Sequence, residues 1–573
     1  MIKKIKNIKK NLSLVNWKEV DYFKYLAISF AAICLILFIF YPIFSTLMLS
    51  GVPRGEAVSI ENLSFANFTR FLTSRLFRIS LVNSLKLSFY VTALSTFLGV
   101  TFAFILARAK LPINKTLIMT LGTLPLISPP FIGAYSWIEM LGRNGFITRI
   151  IENLTNFTIP SIYGFPGMVL AMTVTRWPLV FLLCYGALSI GDPSLEESAD
   201  VMGASTFRKL RTITFPMVFP ALGTGAVMAF MRSIGDFGTP AILGGDIYVI
   251  PTLIYFQLTG YFDRNAASAI AIVVIIISIF TLLLLRYFMR RKDYISVTSE
   301  VQKTPEFESK LFGILGSIFC IILIGISLLP QFVVIFGSFS TRWVNTLWPT
   351  EFGLGNYASV FTRNLNAIQN SLFLAVVATI IATIFSTMLA YMSSRDKTKI
   401  GKFIDSTVML PFVLPGIVVG VAILTSFSPS PFSLAGTGII LIIAYTVRRM
   451  PYGFRSAVSA LEQTGTSMEE ASFVCGASWL QTTRRITVPL ILPAIISGAI
   501  MTFITLIGEL SSTIILYSAR WTTMTVSIFQ YLISHRPGPA FALGTIIIII
   551  VFSSIIVINI LLGKSMVELF GSD

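Results

Sequence analysis

Four ionisable side chains interrupt long apolar stretches of this chain: Arg176, Asp236, Arg449 and Glu509. They fall in matching order, Arg176 with Arg449 and Asp236 with Glu509, at one constant offset. A charge inside hydrocarbon is costly and persists where it is paired or used. Two readings are open. Each arginine braces a neighbouring helix through its acid, or the pairs break and re-form as a gate along a pathway. Asp236 has Arg232 four residues earlier on the same helix face, whereas Thr505 holds the equivalent place before Glu509. Glu509, lacking that local partner, is expected to be the more sensitive acid. Other chemistry is sparse. His535 is the only histidine, and Cys34, Cys184, Cys320 and Cys475 are scattered without CxxC spacing. That pattern offers neither a tight metal site nor a disulfide framework. No convergent catalytic set is visible, so the chain is not expected to be an enzyme.

The elements that must hold these charges are apolar helices. The 573 residues are 55% hydrophobic and 12% charged, against roughly a quarter charged in a soluble globule. Twelve stretches reach the ~20 residues needed to cross a bilayer. They lie near 25–49, 82–107, 116–141, 166–190, 217–242 and 267–289, then near 311–337, 369–394, 404–427, 436–459, 490–515 and 541–563. The first is too long for a signal-peptide core. The net charge of +17 would suggest nucleic acid in a soluble protein; here it reads as loop charge, and no nucleic-acid partner is expected. The N-terminal lysines, Arg108/Lys110/Lys115, Arg208/Lys209/Arg211, Arg286/Arg290/Arg291/Lys292, Arg395/Lys397/Lys399/Lys402 and Arg484/Arg485 all fall on one side of a twelve-span chain. Basic clusters mark the cytoplasmic side, which puts both termini there. Arg70, Arg75 and Arg78 are exceptions on the other side.

The expected fold is an all-α membrane protein with about 12 transmembrane helices in two homologous six-helix lobes. Residues 1–24 form a basic cytoplasmic segment, 25–289 the first lobe, 290–310 a polar linker, 311–564 the second lobe and 565–573 a tail, with membrane lipid as the surrounding partner. The homology of the lobes is legible. PSLEESADVMGASTFRKLRTITFPMVFPA, from Pro193, aligns without gaps to TSMEEASFVCGASWLQTTRRITVPLILPA, from Thr466. An earlier block pairs Asn83 with Asn370 and Arg108 with Arg395. Six spans per lobe let the second lobe re-enter with the same topology, which implies a pseudo-two-fold axis along the membrane normal and a pathway between lobes. Pro125, Pro129 and Pro130 answer Pro411 and Pro415 in the third and ninth spans, as kinks or as broken helices lining that pathway.

The repeated segment resembles the EAA loop of binding-protein-dependent ABC permeases: Glu-Ala-Ala, three residues, Gly, nine residues, Ile, one residue, Leu-Pro. Here it runs Glu197-Ser198-Ala199, Gly203, Ile213, Phe215-Pro216, and again Glu470-Ala471-Ser472, Gly476, Ile486, Val488-Pro489. Each copy departs once at an Ala and once at the Leu. Read from its residues, the loop is a short helix with acids in its first turn and a glycine at its end. The resemblance implies the type I ABC importer permease fold. It also implies that Glu196, Glu197, Ala199, Gly203, Glu469, Glu470, Ala471 and Gly476 couple to ATPase subunits. No GxxxxGK[ST] phosphate loop occurs; Gly563-Lys564-Ser565 has Ile558 where the first glycine belongs. No cofactor is therefore expected on this chain, with ATP and Mg held by two copies of a separate ATPase. An extracytoplasmic binding protein would deliver cargo to this permease of a prokaryotic inner membrane. Fused permeases of this length most resemble ferric-iron importers; thiamine and 2-aminoethylphosphonate importers are similar. An ion-coupled secondary transporter, the competing class, would not need two such loops.

Overall fold

The computed structural model describes residues 22–562 apart from 127–128, 156, 191–192, 290–308, 343–348 and 396–398. The basic N-terminal segment, nearly all of the linker and the tail lie outside the described residues. Ten long helices carry the fold: α1 (Ser29–Ser50, with a π turn at Ile36–Phe40), α2 (Arg75–Arg108), α3 (Phe165–Ile190), α4 (Phe215–Ile234), α5 (Arg264–Met289), α6 (Lys310–Ser338), α7 (Leu365–Arg395), α8 (Gly438–Thr464), α9 (Val488–Ile507) and α10 (Pro537–Leu562). All but α8 are apolar enough to cross a bilayer by composition, nine among the described residues. α8 has the length but carries Arg448, Arg449 and Arg455.

The other two expected spans are broken. Lys115–Leu126 and Pro130–Thr155 meet at 95°, and Ile400–Val413 and Gly416–Phe427 at 107°. Pro129 and Pro415 sit at the bends with extended backbone. A proline has no N–H to continue the ladder and pushes its predecessor out of helical geometry. The expected spans 217–242 and 490–515 also end early, α4 at Ile234 and α9 at Ile507, with Gly235 and Gly508 as C-caps. Asp236 and Glu509 therefore lie just past helix ends rather than within helices.

The lobes are not separate packing units. Ala31, Leu35 and Ile39 of α1 pack with Leu389, Ala390 and Phe454 of the second lobe. Reciprocally, Cys320, Leu323 and Ile324 of α6 pack with Phe102, Trp177 and Phe181 of the first, and Trp177 Nε1 donates to Ser327 Oγ at 2.9 Å. The far sides of both leading helices stay apolar and exposed, through Phe30, Ile33 and Ile36 and through Ile314, Ile318 and Ile321. Lipid is the solvent that such a face requires.

Candidate functional site

The two EAA-like segments fold into matching helical knobs. Pro193–Val201 and Ser467–Val474 are short helices, each stopped by a glycine in the left-handed region, Gly203 at φ 75° and Gly476 at φ 81°. The Ala204 N–H donates to Ala199 O at 2.9 Å and the Ala477 N–H to Ser472 O at 3.2 Å. These are the 6→1 bonds of a Schellman stop. Ser205 and Ser478 then cap the next helices, which pass through π turns at Leu210–Thr214 and Thr483–Thr487 into α4 and α9.

A buried glutamate anchors each knob. Glu196 is 8% exposed and Glu469 6%. Arg108, at the end of α2, donates to Glu196 at 2.9 and 2.5 Å, and Thr214 Oγ1 adds a bond of 2.7 Å. Arg395, at the end of α7, donates to Glu469 at 2.9 to 3.2 Å, and Thr487 Oγ1 at 3.0 Å. Bidentate guanidinium–carboxylate pairs of this kind are both strong and directional. Glu196 and Glu469 thus tie the knob to the membrane helices. Glu197, Glu470 and Ala471 face outward, as do Leu195, Val201, Met468 and Val474, while Ala199 is half-buried. Arg108 and Arg395 were legible in the sequence only as a repeated basic pair; their role as anchors needs the fold.

Both knobs lie on one face. The start of α6 touches the first knob's side, where a Cβ on Gly313 would collide with Lys110 O. From there α6 crosses away and α7 returns to Arg395 beneath the second knob. A short antiparallel pair, β1 (Ser340–Arg342) with β2 (Glu351–Phe352), lies in the connection at the far face.

The four intramembrane charges converge on one cavity of about 480 Å³ lined by both lobes. Arg176 Nη2 donates to Asp236 Oδ2 at 2.8 Å. Asp236 also caps the following short helix, Gly238–Leu243, accepting from the Thr239 N–H at 3.2 Å. Glu509 repeats the arrangement, accepting from the Ser512 N–H at 3.1 Å before Thr513–Leu516. The helix breaks interlock across the lobes: a Cβ on Gly235 would stand 2.7 Å from Pro415 Cβ, and one on Gly508 3.4 Å from Pro129 Cγ.

One premise is corrected. Glu509 does not lack a partner: both Arg448 and Arg449 pair with it. Arg232 does not serve Asp236; its Nη2 reaches across the interface to Tyr452 Oη at 3.5 Å. Arg448 has no counterpart in the repeat, since Thr175 holds its place in the first lobe.

Twin knobs on one face and a charged cavity at the lobe interface define a multi-pass membrane permease. The chain matches the family "Binding-protein-dependent transport system inner membrane component" twice, over residues 99–294 and 382–564. It belongs to that family and is an ABC importer permease of the fused, two-lobed type. It is 29% identical to the ferric transport system permease protein FbpB of Actinobacillus pleuropneumoniae, over 84% of this chain and 71% of that one. A putative ferric permease, FbpB 1 of Haemophilus influenzae, is 31% identical over 89% and 80%. The molybdenum permease ModB of Escherichia coli is 31% identical over 36% of this chain and 91% of its own, so a one-lobed relative spans a single repeat. Permeases of this family are inner-membrane transport subunits rather than enzymes, and work with ATPase and substrate-binding partners in general.

Proposed function

We propose that this permease imports ferric iron, with one ATPase subunit seated on each knob and a binding protein docking on the opposite, extracytoplasmic face. The twin knobs carry the reading of the motor. Each presents outward apolar side chains beside an exposed glutamate, and each is tied by a buried ion pair to a full-length helix. A push on the knob is thereby delivered to the membrane. Relatives named for ferric transport and aligned over most of the chain support iron as the cargo. In this reading the Arg176–Asp236 and Arg448/Arg449–Glu509 pairs close the lobe interface, and lobe separation opens it.

A second cargo, 2-aminoethylphosphonate, is favoured by the arginines of the cavity; thiamine, a cation, is disfavoured by them. The test is uptake into proteoliposomes holding the permease, its ATPase and an iron-loaded binding protein. Radiolabelled iron should accumulate only with ATP inside the motor compartment. Accumulation without ATP that collapses with an uncoupler would overturn the motor, and ATP-driven uptake of the phosphonate but not iron would overturn the cargo.

A further inference from the structure

We infer that the cavity holds one binding site for a small oxyanion, built from Arg232 of the first lobe and from Tyr452 and Arg455 of the second. The inference rests on reading the cavity as the transport path. Five guanidiniums line it, from Arg176, Arg232, Arg448, Arg449 and Arg455, with only two carboxylates, Asp236 and Glu509. Both carboxylates are already engaged, Asp236 by one arginine and Glu509 by two. Arg455 is half-exposed and shares Asp405 at 3.4 Å. Arg232 forms no ion pair with a carboxylate among the described residues; its Nη2 donates to the Tyr452 hydroxyl at 3.5 Å, and the Arg176 guanidinium is a like-charged neighbour. The Arg449 guanidinium stands 5.9 Å from the centre of the Tyr452 ring, so that ring lies between two cations.

An uncompensated guanidinium at membrane depth is expensive, and attraction to an anion grows as water is excluded. A tetrahedral or carboxylate-like oxyanion answers this arrangement. It can accept two parallel bonds from the fork of Arg232, and one from the hydroxyl that Tyr452 presents. A bare metal cation finds the opposite: no free carboxylate and a surplus of positive charge.

The site occurs once, not twice. The first-lobe counterparts of Arg448, Tyr452 and Arg455 are Thr175, Leu179 and Leu182, and the second-lobe counterpart of Arg232 is Thr505. The Arg–acid pairs therefore follow the internal repeat, while the surplus cations depart from it and lie on one diagonal across the interface. Iron would then pass this point with an oxyanion among its ligands.

The experiment is equilibrium binding of radiolabelled inorganic phosphate to the full chain in lipid nanodiscs. The expected result is one saturable site per chain. Arg232→Gln should weaken it about tenfold, the loss of a charge-assisted hydrogen bond. Arg232→Lys should fall between wild type and Arg232→Gln, keeping the charge but not the fork, and Arg455→Gln offers a variant at the exposed rim should Arg232→Gln fail to fold. Absence of saturable binding, or equal binding by wild type and both Gln variants, would overturn the site. Double-labelled uptake with the assembled transporter then separates the sources. Phosphate crossing with iron makes the anion a ligand of the cargo, and phosphate held but not carried makes it a resident counter-ion; both support the site. Phosphate binding needs no transport, so the site survives if iron proves not to be the cargo, and iron uptake can persist if the site fails.

Discussion

The knobs and the cavity treat the internal repeat in opposite ways. At the knobs the two lobes agree residue for residue: Arg108, Glu196 and Thr214 against Arg395, Glu469 and Thr487, with a left-handed glycine closing each helix. In the cavity only the skeleton agrees. One acid is held by a single arginine and the other by two, and an extra arginine crosses from one lobe to a tyrosine of the other. On the proposed function, a surface that meets two copies of one motor would be held to its duplicated form, and a cavity that meets a single cargo would not. The comparison teaches where symmetry is a requirement and where it is only an inheritance.

Four experiments can break or sharpen that contrast. The largest effect is expected from locking the seam. Gly508→Cys with Pro129→Cys, cross-linked, should abolish ATP-driven uptake, with recovery on reduction. Full uptake by the cross-linked protein would show that the lobes need not part there. Next come the acids. Glu509→Gln leaves two buried arginines without a counter-charge, a cost of about 3 kcal/mol or more, and should cut uptake about a hundredfold. Asp236→Asn strands one arginine and should cost about tenfold. Equal losses would mean that the asymmetry of pairing has no functional weight. The knob anchors should instead behave alike. Arg108→Gln and Arg395→Gln are each expected to lower coupling about tenfold, as a broken buried charge pair does, with ATP hydrolysis persisting while uptake falls. A large difference between them would break the symmetry claimed for the knobs. Smallest are Gly203→Ala and Gly476→Ala. Both glycines have open space for a Cβ, so only the left-handed backbone resists, at about 1 kcal/mol each. The measurement is thermal unfolding of the two variants side by side, and matched shifts are expected.

Much of this was legible in the residues, for definite reasons. Hydrocarbon demands long apolar runs, so the membrane segments announced themselves, and an ungapped repeat marked Glu196, Gly203, Arg176 and Asp236 together with their partners. Three features stayed open or hidden. The breaks at Pro129 and Pro415 were left open because a proline in a span reads equally as a kink or a break. The exchange of α1 and α6 between lobes was invisible because a residue facing lipid and one facing another helix are equally apolar. Arg448 was hidden because the repeat does not mark it and its partner Glu509 is 61 residues away in sequence. The knob glutamates were found, but their split into a buried anchor (Glu196, Glu469) and an outward neighbour (Glu197, Glu470) depends on which side of a short helix meets α2 or α7.

The crossed placement of α1 and α6 has its own consequence. Neither half possesses a complete outer wall; each borrows a stave from the other, like two hands clasped with the thumbs outside. The lobe interface is thereby flanked by helices that bridge both halves, with lipid-facing side chains on their far sides.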